Sequence, residues 1–132
     1  MVEQLPLKQL AVGSNPTQTT KMFIKNITKN KILSSDLKIA KSLSDQLLGL
    51  LKKSNPRSLM FNSRFGIHTL FLKHPIDVLI LDSKNTVVKT AIVNPNSIFL
   101  WNPIYSKILE LPKDTIRKTK TKVLDQLEII DL

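Results

Sequence analysis

The stretch Ile67-His68-Thr69-Leu70-Phe71-Leu72-Lys73-His74-Pro75-Ile76-Asp77-Val78-Leu79-Ile80-Leu81-Asp82 decides the fold. Within it, Val78-Leu79-Ile80-Leu81 is apolar at four successive positions. A strand with water on one face alternates, so an unbroken run of this length reads as a strand buried between two layers. Lys73-His74-Pro75 breaks the chain before it, and Asp82-Ser83-Lys84-Asn85 supplies turn residues after it. Val87-Val88 through Ala91-Ile92-Val93 then returns as the second arm of a hairpin.

Working outward, Met22 to Ile27 suits a short strand, Thr28 to Lys31 a turn, and Ile32 to Ala40 a second strand interrupted around Ser34-Ser35. Ser42 is placed to cap a helix over about 43–53, in which Leu43, Leu47, Leu50 and Leu51 form one apolar stripe. Lys52 and Lys53 fall near its C-terminal end, and Asn55-Pro56 stops it. Leu59-Met60-Phe61, Phe65 to Leu72, Tyr105 to Leu111 and Gln126 to Ile130 read as further strands. A Pro-bracketed loop between Asn94 and Pro103 carries Phe99, Leu100 and Trp101. The expected fold is mainly β: a small sandwich or partly open barrel with one packed α-helix. Residues 1–20 read as a flexible N-terminal arm, and 21–132 as a single domain.

Composition narrows the chemistry. The 132 residues contain no cysteine, which excludes a cysteine nucleophile, a disulfide scaffold and thiolate metal sites. Three glycines leave no Gly-rich phosphate cradle. No apolar run approaches the roughly 18 residues of a membrane-spanning helix, and the chain shows neither a span nor a secretory signal, which points to the cytoplasm. The net charge is +10, but arginine supplies just three of the twenty basic residues. Lysine is a poorer instrument than the arginine fork for reading bases. Two basic concentrations stand out, Lys21, Lys25, Lys29 and Lys31, and the segment Lys113 to Lys122 with Lys118, Lys120 and Lys122.

Four segments in register resemble the uncharacterised family known as domain of unknown function 192, from Asn26 to the end of the chain. Ala40 to Leu51, AKSLSDQLLGLL, is similar to the pattern A-x-[ST]-x-x-x-R-x-x-G-L-M. Ile67 to Asp82 resembles I-H-T-x-x-M-x-x-P-[IL]-D-[VI]-x-F-L-D, Val87-Val88 follows the turn, and Lys107 to Pro112, KILELP, resembles V-L-E-L-P. The resemblance implies a compact mainly-β fold with one helix and no assigned activity. Where the pattern continues with G-x-x-x-x-x-G and G-D, this chain has Asp114, Lys120 and Leu124. Leucine tolerates a left-handed turn poorly, so the backbone between Lys113 and Asp125 is expected to depart from the family's course.

Asp77 is the leading candidate for function, a carboxylate at the mouth of the most apolar strand. It holds the Lys73-His74-Pro75 turn or grips a ligand at a pocket rim. His68 bonds across strands or reaches the same rim, and the spacing of the two histidines argues against a metal site. Glu110 could join Asp77 as a carboxylate pair for hydrolysis. Trp101 and Tyr105, with Phe99, either plug one end of the fold or offer a stacking surface. The reading favours non-enzymatic binding of a small molecule, glycan or protein between the Lys73–Asp77 turn and the Phe99–Tyr105 loop, with no metal, cofactor or catalytic residue. Its alternatives are weak, sequence-independent nucleic-acid binding through the lysines and a hydrolase built on Asp77 and Glu110.

Overall fold

The computed structural model describes residues 22–40, 58–64, 66–70 and 72–131. The anticipated helix over 43–53 and the N-terminal arm lie outside the described residues. Ten strands run through the rest: β1 (Met22–Asn26), β2 (Lys31–Ser34), β3 (Leu37–Ile39), β4 (Ser58–Asn62), β5 (Ile67–His68), β6 (Ile76–Leu81), β7 (Val87–Val93), β8 (Ile98–Phe99), β9 (Lys107–Pro112) and β10 (Leu127–Asp131). A five-residue helix, α1 (Thr115–Thr119), separates β9 from β10. The strands form a five-stranded sheet, β3-β4-β9-β6-β7, a three-stranded sheet, β10-β1-β2, and the two-stranded β5-β8. None closes into a barrel.

Strand β6 occupies the place its composition demands. It lies between β7 and β9, antiparallel to both, and Val78, Leu79, Ile80 and Leu81 are essentially inaccessible to water. Side chains alternate across the sheet, so β6 feeds two cores. Leu79 and Leu81 join Leu109 and Leu111 of β9, Val87 of β7 and Ile24, Leu33 and Leu127 of the three-stranded sheet. Val78 and Ile80 join Ile108, Phe61, Val93 and Trp101 on the opposite face.

The interruption at Ser34-Ser35 is real and changes sheet membership. Strand β2 pairs with β1 as a hairpin, whereas β3 crosses to the larger sheet and runs parallel to β4. Among the described residues of the region expected as a strand from 65 to 72, Ile67 and His68 form a strand, paired with Phe99 and Ile98.

One expectation is corrected outright. Asp114 (φ 72°), Lys120 (φ 57°) and Leu124 (φ 81°) all adopt left-handed conformations, so the turns form without glycine. Lys120 closes α1 by donating its N–H to the Ile116 carbonyl. Leu124 is held by its N–H to the Val87 carbonyl (2.8 Å), with Val87 returning a bond to the Asp125 carbonyl (2.9 Å). Hydrogen bonding to β7 therefore outweighs the steric preference of the leucine.

Candidate functional site

Asp77 is buried, 1% exposed, but its role is local. Its Oδ2 accepts the Ile116 N–H at 2.7 Å. Asp114 stands at the N-cap of α1 yet makes no side-chain cap, so a carboxylate from β6 does that work across the sheet. Burial pushes the Asp77 carboxyl above the ordinary carboxylate value; the backbone N–H groups of Ile116, Asp114 and Thr115 oppose the rise, and the neighbouring Asp114 charge adds to it. Oδ1 is buried without a hydrogen-bond partner, which disfavours the ionised form further.

The anticipated site does not assemble. In the register of β6 with β9, Asp77 lies opposite Leu111 and Val78 opposite Glu110. Neighbouring residues of a strand project to opposite faces, so Asp77 and Glu110 point away from each other through the sheet. That geometry removes the carboxylate pair on which the hydrolase reading rested. Asp77 shares its face with Leu79, Leu111 and Ile116, whereas Trp101 and Tyr105 pack on the other core. The sheet itself separates the acid from the aromatic loop.

The aromatic loop acts as a plug. Trp101 is buried and donates its indole N–H to the Tyr105 carbonyl at 2.8 Å. Phe99 tilts against Trp101 with ring centroids 5.7 Å apart, and the Lys89 ammonium lies 5.3 Å from the Phe99 ring centre. Thr69, buried at 1%, anchors the preceding loop: its Oγ1 donates to the Asn94 carbonyl (2.6 Å) and accepts the Ser97 N–H (2.9 Å). His68 pairs through β5 and is exposed, as is Lys73.

These anchors leave apolar side chains outside. Ile98, Leu100 and Ile104 are 76%, 62% and 68% exposed. Arg64 ties their loop to the body by donating from Nη1 to the Pro103 carbonyl at 2.7 Å. Gly66, at φ 106°, lies so close to Leu100 that a Cβ there would collide with its side chain and with the Phe99 carbonyl. Beside Arg64, Asn62, Ser63 and Ser106 line an open depression of about 520 Å³. Sequence reasoning passed over Arg64, Ile98 and Ile104; the alternation of Ile98 and Leu100 with partly buried Phe99 and buried Trp101 was the available signal for the aliphatics.

A second polar cluster also escaped it. Asp125, 4% exposed, accepts both contacts of the Lys29 ammonium (2.8 and 2.9 Å), the Asn26 amide (2.9 Å) and the Lys122 N–H (2.9 Å). Burial alone would raise its pKa, but Lys29, Asn26 and Lys122 outweigh burial and hold it below the ordinary value. Asn26 also donates to Thr121 Oγ1, itself 2.6 Å from Thr119 Oγ1. The clasp brings the two basic concentrations to one flank, with Lys31, Lys118, Lys120 and Lys122 exposed and Lys25 half-buried opposite Glu128. Lys29 is neutralised by Asp125, and Lys21 lies outside the described residues.

No family model matches the chain. It is 27% identical over 109 residues to a UPF0127 protein of Pyrococcus furiosus, covering 78% of this chain and 94% of that protein. The relative belongs to an uncharacterised conserved family. Two solved structures share the fold. One, from Sinorhizobium meliloti, is described as a "putative transcription regulator" (TM-score 0.64, 16% identity, 83% of this chain and 93% of that one). The other is a protein of unknown function from Novosphingobium aromaticivorans (TM-score 0.64, 13% identity, 82% and 83%).

Proposed function

We propose that this β-rich domain is a non-enzymatic binding module for another protein, docking through the end built by Arg64, Ile98, Leu100 and Ile104. The observation that carries the reading is the combination of high exposure with a pinned loop. Ile98, Leu100 and Ile104 face solvent, while Trp101, Thr69 and Arg64 hold the backbone beneath them. Side chains presented on a fixed backbone lose little further freedom on association, which favours binding. Small-molecule sites are concave and mainly apolar; the neighbouring depression is open and lined by Asn62, Ser63, Arg64 and Ser106. That contrast favours a protein surface over a small ligand or a glycan. The Arg64 guanidinium and the net charge of +10 match a partner with carboxylates beside its apolar contacts.

Site-specific photocrosslinking tests this reading. A photoreactive residue at Ile104 should give one discrete protein adduct that excess wild-type chain competes away and Leu100→Asp chain does not. The same group at Lys84 should give none. A thermal shift with sugars or nucleotides, abolished by Arg64→Ala and unaccompanied by a competed adduct, would replace the protein reading with a small-ligand one.

A further inference from the structure

The flank formed by the Asn26–Asp125 clasp carries two exposed apolar side chains, Val123 and Leu124, next in sequence to exposed lysines. From Lys118 to Lys122 exposure alternates: the three lysines are exposed, while Thr119 and Thr121 are buried and joined to each other and to Asn26. The three lysines are therefore carried in solvent by a backbone that the buried threonines hold in place. Val123 and Leu124 follow at once, 48% and 77% exposed. Across the loop, Gln126 bonds the backbone at Lys84 and at Ile27, which brings the turn carrying exposed Lys84 and the turn before exposed Lys31 beside the end of this loop.

The nearby acids cancel only part of this charge. Asp125 is buried and bound to Lys29. Asp82 accepts the N–H groups of Lys84 and Thr86 within its own turn and keeps its negative charge, so it offsets Lys84 in part. Asp114 sits 3.6 Å from Arg117, and Glu128 faces Lys25 on the sheet beyond.

Leu124 is the informative residue. It occupies a left-handed conformation that glycine adopts without strain, and its side chain adds little to the core. A strained position whose side chain is held outward suggests a role in contact with something else.

We propose that this loop is a peripheral docking site for an anionic lipid bilayer. Val123 and Leu124 enter the headgroup boundary, and Lys31, Lys84, Lys118, Lys120 and Lys122 face the lipid phosphates. Interfacial binding combines buried apolar surface with electrostatic attraction, and this loop supplies both. A single-stranded nucleic-acid surface would be served by aromatic stacking platforms and a duplex by its phosphates alone, and neither uses the exposed aliphatic side chains that this loop presents. The site shares no residue with the Arg64 surface and stands independently of it.

The test is sedimentation of the full chain with phosphatidylcholine vesicles, with and without phosphatidylglycerol. Binding is expected to the anionic vesicles alone. Each Lys→Gln change at Lys118, Lys120 or Lys122 should weaken it about fivefold. Leu124→Gly should weaken it about tenfold while the melting temperature stays the same or rises, which separates lost contact from lost folding. The proposal is overturned by absent vesicle binding, by equal binding to neutral vesicles, or by binding indifferent to Leu124→Gly. Tight binding to a mixed-sequence oligonucleotide that Leu124→Gly leaves intact, with vesicles ignored, would assign the flank to nucleic acid.

Discussion

Asp77 holds an ionisable group where almost no water reaches it, and its acceptor role and its charge can be separated by mutation. Asp77→Ala removes the cap of α1 and should cost about 1 kcal/mol in urea unfolding. Asp77→Asn keeps an acceptor for the Ile116 N–H without a charge to desolvate. The folded pKa of Asp77 lies above its ordinary 3.8, so the folded chain binds this proton more tightly than the unfolded one. Its stabilising contribution is complete below the ordinary value and declines as pH rises through the folded value. Asp77→Asn should therefore exceed wild type in stability at neutral pH, and the gap should close as urea midpoints are followed down toward the ordinary carboxylate range. Asp125 has the opposite sign: its folded pKa is depressed, so its contribution is present above 3.8 and lost as pH falls through the folded value. Asp125→Asn should cost about 1–3 kcal/mol at neutral pH and progressively less in acid. At Leu124, glycine relieves the left-handed strain but loosens the unfolded chain. Leu124→Gly should be neutral or stabilising by up to about 1 kcal/mol in thermal melts, whereas Leu124→Ala should gain nothing.

Among the elements, β6 was plain to read and α1 was not, and the difference is physical. Four successive apolar residues leave a strand no outward face, so Val78 to Leu81 announce two covering layers without any tertiary information. Leu79→Ala should accordingly cost about 2–5 kcal/mol by denaturant titration, while Ile104→Asp, at the surface, should stay within about 0.5 kcal/mol. Helix α1 has five residues, too few for a periodic pattern, and its cap comes from a strand 39 residues earlier. The parallel pairing of β3 with β4 was equally hidden, because sequence texture shows a strand's faces but not its neighbours. The same blindness produced the mistaken carboxylate pair. Asp77 and Glu110 each looked well placed on its own strand, and only the register of β6 against β9 sets them on opposite faces.

Across the whole molecule, the mainly-β architecture followed from patterning, but the grouping of surface residues did not. The two basic concentrations look unrelated in sequence; the clasp of Asn26 and Lys29 on Asp125 makes them one flank. Exposed charges separated by more than a Debye length are screened in ordinary buffers, so the +10 charge should show itself chiefly at low salt. Retention on a cation-exchange matrix should fall steeply with salt for wild type and less steeply for the Lys118, Lys120 and Lys122 triple Gln variant, if these lysines form one cooperating surface. A matching slope in both proteins would mean that the charges act separately. The clasp also bears on how the protein is made. Asn26 and Asp125 are 99 residues apart, and β1 takes β10 as its partner along its full length. A ribosome delivers β1 early and must withhold β10 until nearly the whole described chain has been translated. Until then Ile24 lacks Ile129 opposite it, and the emerging polypeptide depends on transient shelter, from itself or from a chaperone, to keep that edge from pairing elsewhere.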